Sequence, residues 1–304
     1  MRVFVTGATG FIGSAVVSEL LDAGHEVVGL ARSDQGAAAV RTAGGEPLRG
    51  TLDDLDTLRG GAAAADGVIH TAYSHDFSQM ESAAQMDLRA IETLGTALEG
   101  SDRPLVITTG TALIKPGSVV TEEDAIDPAT AAHPRAGAEP MAKAFAARGV
   151  RSSIVRPGVS VHGEGDHGFV PVLIGIARSK GVSAYIGDGS NCWPAVHRLD
   201  AAHLYRLALE DAPAGSVLHA IGDEGVPTRE IAEIIGRHLN VPTASIMPDR
   251  AAEHFGWMGV FFGLDAPASS ALTQHRLGWR PTRIGLVEDL EQGHYFLDAA
   301  AAAA

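Results

Sequence analysis

Along the first half of the chain, short runs of β-branched and aliphatic residues alternate with longer stretches whose apolar positions recur every three to four residues. The short runs at 3–5, 25–31, 46–49, 67–72, 104–109 and 151–156 read as strands. The longer stretches at 12–23, 36–43, 53–65, 79–99 and 135–148 read as helices, the first stopped by Gly24. Within 79–99 the residues Met80, Ala83, Ala84, Leu88, Ile91, Leu94 and Leu98 share one helical face. Strands that alternate with helices imply right-handed crossovers, so the fold class is α/β, a doubly wound parallel sheet with helices on both faces. Ligands of such sheets bind beyond the carboxyl ends of the strands, which directs attention to the loops after residues 6, 31, 49, 72, 109 and 156.

The second half is less regular. Residues 158–168 form a glycine-rich polar loop, followed by an amphipathic helix over 169–180 with Phe169, Leu173, Ile176 and Ala177 on one face. Tyr185, Trp193 and His197 would bring aromatic surface and a titratable group near the cleft. Asp200 is expected to cap a helix over 201–210, and Thr228 to cap the next one. The run 217–221 is expected to rejoin the sheet as a strand. Residues 251–264 carry His254, Phe255, Trp257, Phe261 and Phe262, a core segment or a hydrophobic wall for an apolar substrate. The resulting division is residues 1–165, with later strands near 193–221 rejoining, and a smaller α/β C-terminal part over 166–304 that would bind substrate.

Candidate chemistry begins in the first turn. MRVFVTGATGFIG runs from a strand through Gly7, Gly10 and Gly13 into a helix. Gly7 permits the sharp turn, Gly10 lets backbone amides approach a phosphate, and Gly13 lets the helix pack near the sheet. Unpaired N–H groups at the helix start then suit a pyrophosphate, so the segment predicts dinucleotide binding.

Composition narrows the function further. A formal charge of −14 over 304 residues argues against nucleic acid, and no run is apolar enough to span a membrane. The N-terminus carries no signal segment, and the single cysteine, Cys192, offers neither an internal disulfide nor a metal cluster, which together suit a cytoplasmic enzyme with no metal. The alanines at 299–304 are expected to extend or fray a last helix.

TGATGFIG at 6–13, GVIHTA at 67–72, the threonines at 108–111, IVRPG at 154–158, GDGSNCWPAVHRLDAAHL at 187–204 and LGWRPT at 277–282 together resemble the extended short-chain dehydrogenase/reductase family, the group of NAD-dependent epimerases and dehydratases. The resemblance spans nearly the whole chain. It implies a Rossmann fold and a nicotinamide cofactor, with Gly7, Thr9, Gly10, Phe11, Ile12 and Gly13 around the pyrophosphate. By the same resemblance, Leu52 and Asp53 border the adenine, and Thr71, Ala72 and Tyr73 line the pyrophosphate and nicotinamide ribose. Pro157, Gly158 and Val159 would meet the nicotinamide, and segments 79–99 and 135–148 would pair in a homodimer.

The second strand ends at Arg32 and Ser33, and an arginine there accommodates a 2′-phosphate, which favours NADP; Asp34 keeps NAD as the alternative. Family members use a tyrosine followed four residues later by a lysine, with a glutamate commonly four residues beyond. With Glu139 as anchor, Arg135 takes the lysine position and Ala131 the tyrosine position, so the usual proton donor is missing. Arg135 can hold the nicotinamide ribose but is no general acid. His133 and Tyr73 are the candidate replacements, with His75 and His162 behind them, and Thr109 and Thr111 would hydrogen-bond a substrate carbonyl. The reading is hydride transfer between NADPH and a small or medium carbonyl or alcohol. The alternatives are an epimerase or dehydratase and a dinucleotide-binding sensor without chemistry.

Overall fold

In the computed structural model, which describes residues 1–74, 79–112, 114–126 and 134–297, strands and helices alternate from the N-terminus. The order is β1 (Arg2–Thr6), α1 (Phe11–Asp22), β2 (Glu26–Ala31), α2 (Asp34–Thr42), β3 (Glu46–Arg49), α3 (Leu55–Ala63), β4 (Gly67–His70), α4 (Met80–Leu98), β5 (Pro104–Thr108), α5 (Ala138–Ala146) and β6 (Arg151–Pro157). The chain then leaves the sheet through β7 (Ser160–His162), α6 (Phe169–Lys180), β8 (Ser183–Ile186), β9 (Cys192–His197) and α7 (Arg198–Asp211), and returns as β10 (Ser216–Ala220). It continues with β11 (Asp223–Pro227), α8 (Thr228–Leu239), β12 (Thr243–Ile246), α9 (Ala251–Phe255), α10 (Met258–Phe262), α11 (Ala271–Leu277) and α12 (Leu286–Glu291).

The main sheet has seven strands in the order β10-β6-β5-β4-β1-β2-β3, and all of its strand pairings among the described residues are parallel. The order in which successive strands are added reverses between β1 and β4, which opens a crevice at their carboxyl ends. Side chains of the central strands, including Val3, Val5, Ile69 and Val106, are buried under α1 and α7 on one face. Phe4, Val68, Leu105 and Ile107 meet α3, α4 and α5 on the other. Alternation along each strand thus feeds two separate cores, which explains why these strands read as continuous apolar runs.

Several expectations need correction. The strand at 192–197 does not rejoin the main sheet; it pairs with β7 and β11, because β7 continues beyond the carboxyl end of β6 and supplies a parallel partner there. Asp200 lies inside α7 rather than capping it; His197 is the cap, its ring nitrogen accepting from the Leu199 amide. The buried Asp200 carboxylate instead accepts from the Thr282 and Arg283 amides, fixing the C-terminal segment to α7. Thr228 is the first residue of α8, and its hydroxyl donates to Asn191 Oδ1. The helix expected over 135–148 is shorter, opening with a 3₁₀ turn at Pro134–Gly137. Residues 251–264 divide their aromatics: Phe255 and Phe262 enter the core of the C-terminal part, joined by Met258, whereas Trp257 stays 44% exposed. The terminal alanines lie outside the described residues.

Gly95 shows how closely α4 and α5 approach, since a Cβ there would lie 2.4 Å from a Phe145 ring carbon. Gly95→Ala should destabilise the protein even though alanine favours helix by about 1 kcal/mol. Overpacking costs roughly 1–3 kcal/mol, so the melting temperature is expected to fall by a few degrees in calorimetry.

Candidate functional site

The glycine turn has the geometry its spacing predicts. Gly7 takes a left-handed φ of 71°, and a Cβ there would sit 2.7 Å from the Ala72 nitrogen, so the β1 turn rests directly on the end of β4. A Cβ on Gly13 would come 2.0 Å from the Gly7 carbonyl oxygen. Gly13 is therefore required for packing. Gly10 differs, because its Cβ would meet only the Gly7 oxygen, at 3.2 Å. It is the N-cap of α1, without a side-chain cap and without an acidic residue in the first turn. The amides of Phe11, Ile12 and Gly13 are thus presented at the positive end of the helix, a donor set that suits a pyrophosphate. Thr9 lies in the turn and Phe11 is flanked by two side chains, the His167 ring at 5.7 Å and the Arg198 guanidinium at 5.2 Å.

At the edges of β2 and β3, two arginines gather. Arg32 is exposed, and its carbonyl accepts from Arg49 Nη2 at 3.4 Å. Arg49 also pairs with Asp34 at 3.1 Å, so the acid that could serve a ribose diol is engaged by a cation. Ser33 caps α2 by accepting from the Gly36 amide, which leaves its hydroxyl hydrogen to donate. Nearby, Asp53 pairs with Arg89, and Leu52 packs on the core beneath.

The carboxyl ends of β4 and β5 hold the densest polar array. The Arg135 guanidinium carbon lies 3.8 Å from the centre of the Tyr73 ring, stacked on its face. Nη2 of Arg135 donates to the Thr108 carbonyl at 2.9 Å, and Nε faces Asp87 Oδ2 at 3.4 Å. Asp87, only 1% exposed, also meets His70 Nε2 at 3.0 Å, and His70 Nδ1 lies 2.7 Å from Thr6 Oγ1. Burial pushes the Tyr73 phenol above its ordinary pKa, with Arg135 pulling it down and Asp87 pushing it up.

The threonines behave differently from expectation. Thr109 donates to Glu139 Oε1 at 2.9 Å, and Thr111, 1% exposed, donates to the Pro157 carbonyl at 3.4 Å. A hydroxyl has one hydrogen, and here both are committed inside the protein, so neither threonine offers a donor to a substrate carbonyl. Glu139 is held by Arg156 through two short bonds, 2.7 and 2.6 Å. Burial alone would raise the Glu139 pKa, but the Arg156 bonds and charge, joined by Thr109, bring it below its ordinary value. Glu139 thus braces α5 against β6.

Pro157 ends β6, and a Cβ on Gly158 would lie 2.4 Å from the Pro194 carbonyl oxygen, so the turn toward β7 is tightly packed. Val159 joins the apolar cluster that contains Phe169, Trp193 and Phe261. Thr71 donates to the Thr6 carbonyl and Ala72 to Thr6 Oγ1, placing this turn beside Gly7. His162 is not at the cleft: it is buried and pairs with Asp289 at 2.8 Å. His75, Ala131 and His133 lie outside the described residues.

A family model described as "NAD dependent epimerase/dehydratase family" matches residues 3–221. An uncharacterized protein of Schizosaccharomyces pombe, C2A9.02, is 53% identical over 97% of this chain and 100% of its own length. A ketoreductase of Stigmatella aurantiaca, acting on 4-hydroxy-2-methyl-3-oxo-4-farnesyl-3,4-dihydroquinoline-1-oxide, is 27% identical over 88% of this chain and 84% of its own. Among solved structures, a double mutant of the dTDP-glucose 4,6-dehydratase DesIV from Streptomyces venezuelae, with NAD bound, superposes with a TM-score of 0.79. At 20% identity over 99% of this chain and 98% of that one, this likeness concerns the fold.

Asp87 and Arg49 were not singled out from the sequence. Asp87 is the polar residue on the apolar stripe of α4, between Ala84 and Ile91, and that misfit is the signal by which it could have been found. For the glycine turn the expected outcome is specific: Gly10→Val should fold, while nicotinamide dinucleotide affinity, followed by fluorescence titration, falls by roughly tenfold or more, about 1.4 kcal/mol. Unchanged affinity would remove the phosphate role of this turn.

Proposed function

Because the chain belongs to the NAD dependent epimerase/dehydratase family, whose model spans residues 3–221, we propose that it is an NADPH-dependent reductase of small or medium apolar carbonyl compounds. The observation that carries the reading is the guanidinium of Arg135 stacked on Tyr73 at the end of β4. By the family resemblance, a tyrosine phenol transfers the proton and a positive side chain beside it assists electrostatically. Here the pair is drawn from different segments, Arg135 from the lysine position and Tyr73 from the β4 loop.

NADPH, when bound, supplies a hydride to the carbonyl carbon. A phenol is already protonated at neutral pH, and burial of Tyr73 favours that neutral form further, so it has a hydroxyl hydrogen to donate to the carbonyl oxygen. Arg135 lies over the face of the ring that is left negative, where a cation stabilises it, and solvent returns the proton. Arg135 cannot itself give up a proton, so its part is electrostatic. The amides of residues 11–13 hold the pyrophosphate, with Gly7, Gly10, Thr71 and Ala72 shaping the space around it. Arg32 and Arg49 take the 2′-phosphate, with the Ser33 hydroxyl alongside. Pro157, Gly158 and Val159 border the nicotinamide, and Phe169, Trp257 and Phe261, whose rings contact one another, offer an apolar wall beyond Val159. A related ketoreductase acting on a farnesylated ring compound supports a carbonyl substrate with apolar bulk.

Turnover tests the reading directly. A panel of apolar ketones and aldehydes should support NADPH oxidation, and Tyr73→Phe should lower kcat by at least about tenfold, the low end of general-acid effects. NADPH binding without turnover anywhere on the panel would favour the sensor reading. For the cofactor, Arg32→Asp should weaken NADPH by about 10–100-fold, the value of one charged hydrogen bond of roughly 1.5–3 kcal/mol, and leave NADH nearly unchanged in parallel titrations. Equal weakening of both would overturn the 2′-phosphate assignment.

A further inference from the structure

Behind Arg135 runs a chain of hydrogen bonds whose direction can be worked out. The Ala72 amide donates to Thr6 Oγ1 at 3.4 Å, so that oxygen acts as an acceptor there and keeps its own hydrogen to give. Its next partner, at 2.7 Å, is His70 Nδ1. The Asp87 carboxylate can only accept, so His70 carries a hydrogen on Nε2 and donates it to Oδ1 at 3.0 Å, and in the neutral imidazole Nδ1 is then the acceptor for the Thr6 hydroxyl. The second Asp87 oxygen, Oδ2, faces Arg135 Nε at 3.4 Å. Asp87 and His70 are each 1% exposed, and a carboxylate this deeply buried requires a cation and hydrogen bonds to stay ionised.

The consequence is geometric. Asp87 attracts one edge of the guanidinium and the Thr108 carbonyl takes another, at 2.9 Å, so the plane is fixed and its face is turned to Tyr73. The far end of the chain is Ala72, whose nitrogen lies against Gly7 in the glycine turn. We propose that Asp87 and His70 are positioning residues that lock the Arg135 guanidinium onto Tyr73 and tie that pair to the dinucleotide-binding turn. Neither touches substrate or cofactor. This inference rests on Tyr73 being the proton donor, so Tyr73→Phe is measured in the same series to separate the two.

Two histidine variants distinguish a positioning role from simple core packing. A glutamine amide nitrogen can reach where His70 Nε2 sits and still donate to Asp87, whereas an asparagine amide reaches only the Nδ1 position. His70→Gln should keep kcat within about threefold of the parent, and His70→Asn should lower it by about tenfold or more. Asp87→Asn should also lower kcat by about tenfold, with KM moving less than about threefold, because the lost interaction acts in the transition state. Combined with Arg135→Ala, Asp87→Asn should add no further loss, since it works through that residue.

The inference is overturned if Asp87→Asn leaves kcat at the parent value, if its effect falls on KM alone, or if its loss multiplies with that of Arg135→Ala. Equal rates for the two histidine variants would overturn it too, and that comparison remains available should Asp87→Asn fail to fold. If Tyr73→Phe is fully active, the reading of the proton donor falls instead, whatever the Asp87 variants do.

Discussion

A carboxylate placed in a protein core has to be paired, and the pairing of Asp87 orders much of the cleft. It sits on the apolar face of α4, where an aliphatic residue would satisfy packing, and is 1% exposed. Isolated there, an ionised group would pay a desolvation penalty of several kcal/mol. The penalty is offset by drawing in Arg135 from the turn before α5 and His70 from the end of β4. Three segments far apart in sequence thereby converge where β4 and β5 end. An aliphatic residue in place of Asp87 would remove the carboxylate that faces Arg135 Nε, one of the contacts that orient the guanidinium on the Tyr73 ring.

The glycine turn is the second fixed point, and the two share β4. Gly7 leans on Ala72, Ala72 donates to Thr6, and Thr6 meets His70, so the phosphate cradle and the Tyr73 site are joined by contacts within hydrogen-bond range. A short strand such as β4, four residues long, thus ends beside both the glycine turn and the Tyr73 site. The glycines of the turn also differ: Gly13 is needed so that α1 can pack, whereas a Cβ on Gly10 would meet only the Gly7 oxygen.

Much of this was legible in the sequence. The alternation of strands and helices through residue 157 depends on local periodicity, and every strand there except the edge strand β3 is buried on both faces, so its apolar run announces it. The glycine turn was legible for a similar reason, since its residues contact one another within a dozen positions. What periodicity cannot supply is pairing between distant side chains. Glu139 was a useful anchor for placing Arg135, yet its own partners, Arg156 and Thr109, come from other strands, and the commitment of Thr109 and Thr111 to internal acceptors could not be foreseen. Asp200 and Thr228 looked like caps because short polar residues before apolar runs usually are. Tertiary partners claimed both: the 282–283 amides took Asp200, and Asn191 took Thr228. The C-terminal part was hardest to read, because its small sheets form from strands of three to six residues with no repeating signal between them.

The central claim is that the cleft at β4 and β5 reduces a carbonyl, and isotope transfer tests it most directly. The protein would be incubated with NADPH deuterated at the transferable C4 position and a panel of apolar ketones and aldehydes, and the products analysed by mass spectrometry. The account predicts an alcohol carrying one deuterium on the former carbonyl carbon, with the hydroxyl hydrogen drawn from solvent. Products without deuterium, or a substrate recovered with inverted configuration and no net consumption of NADPH, would contradict it.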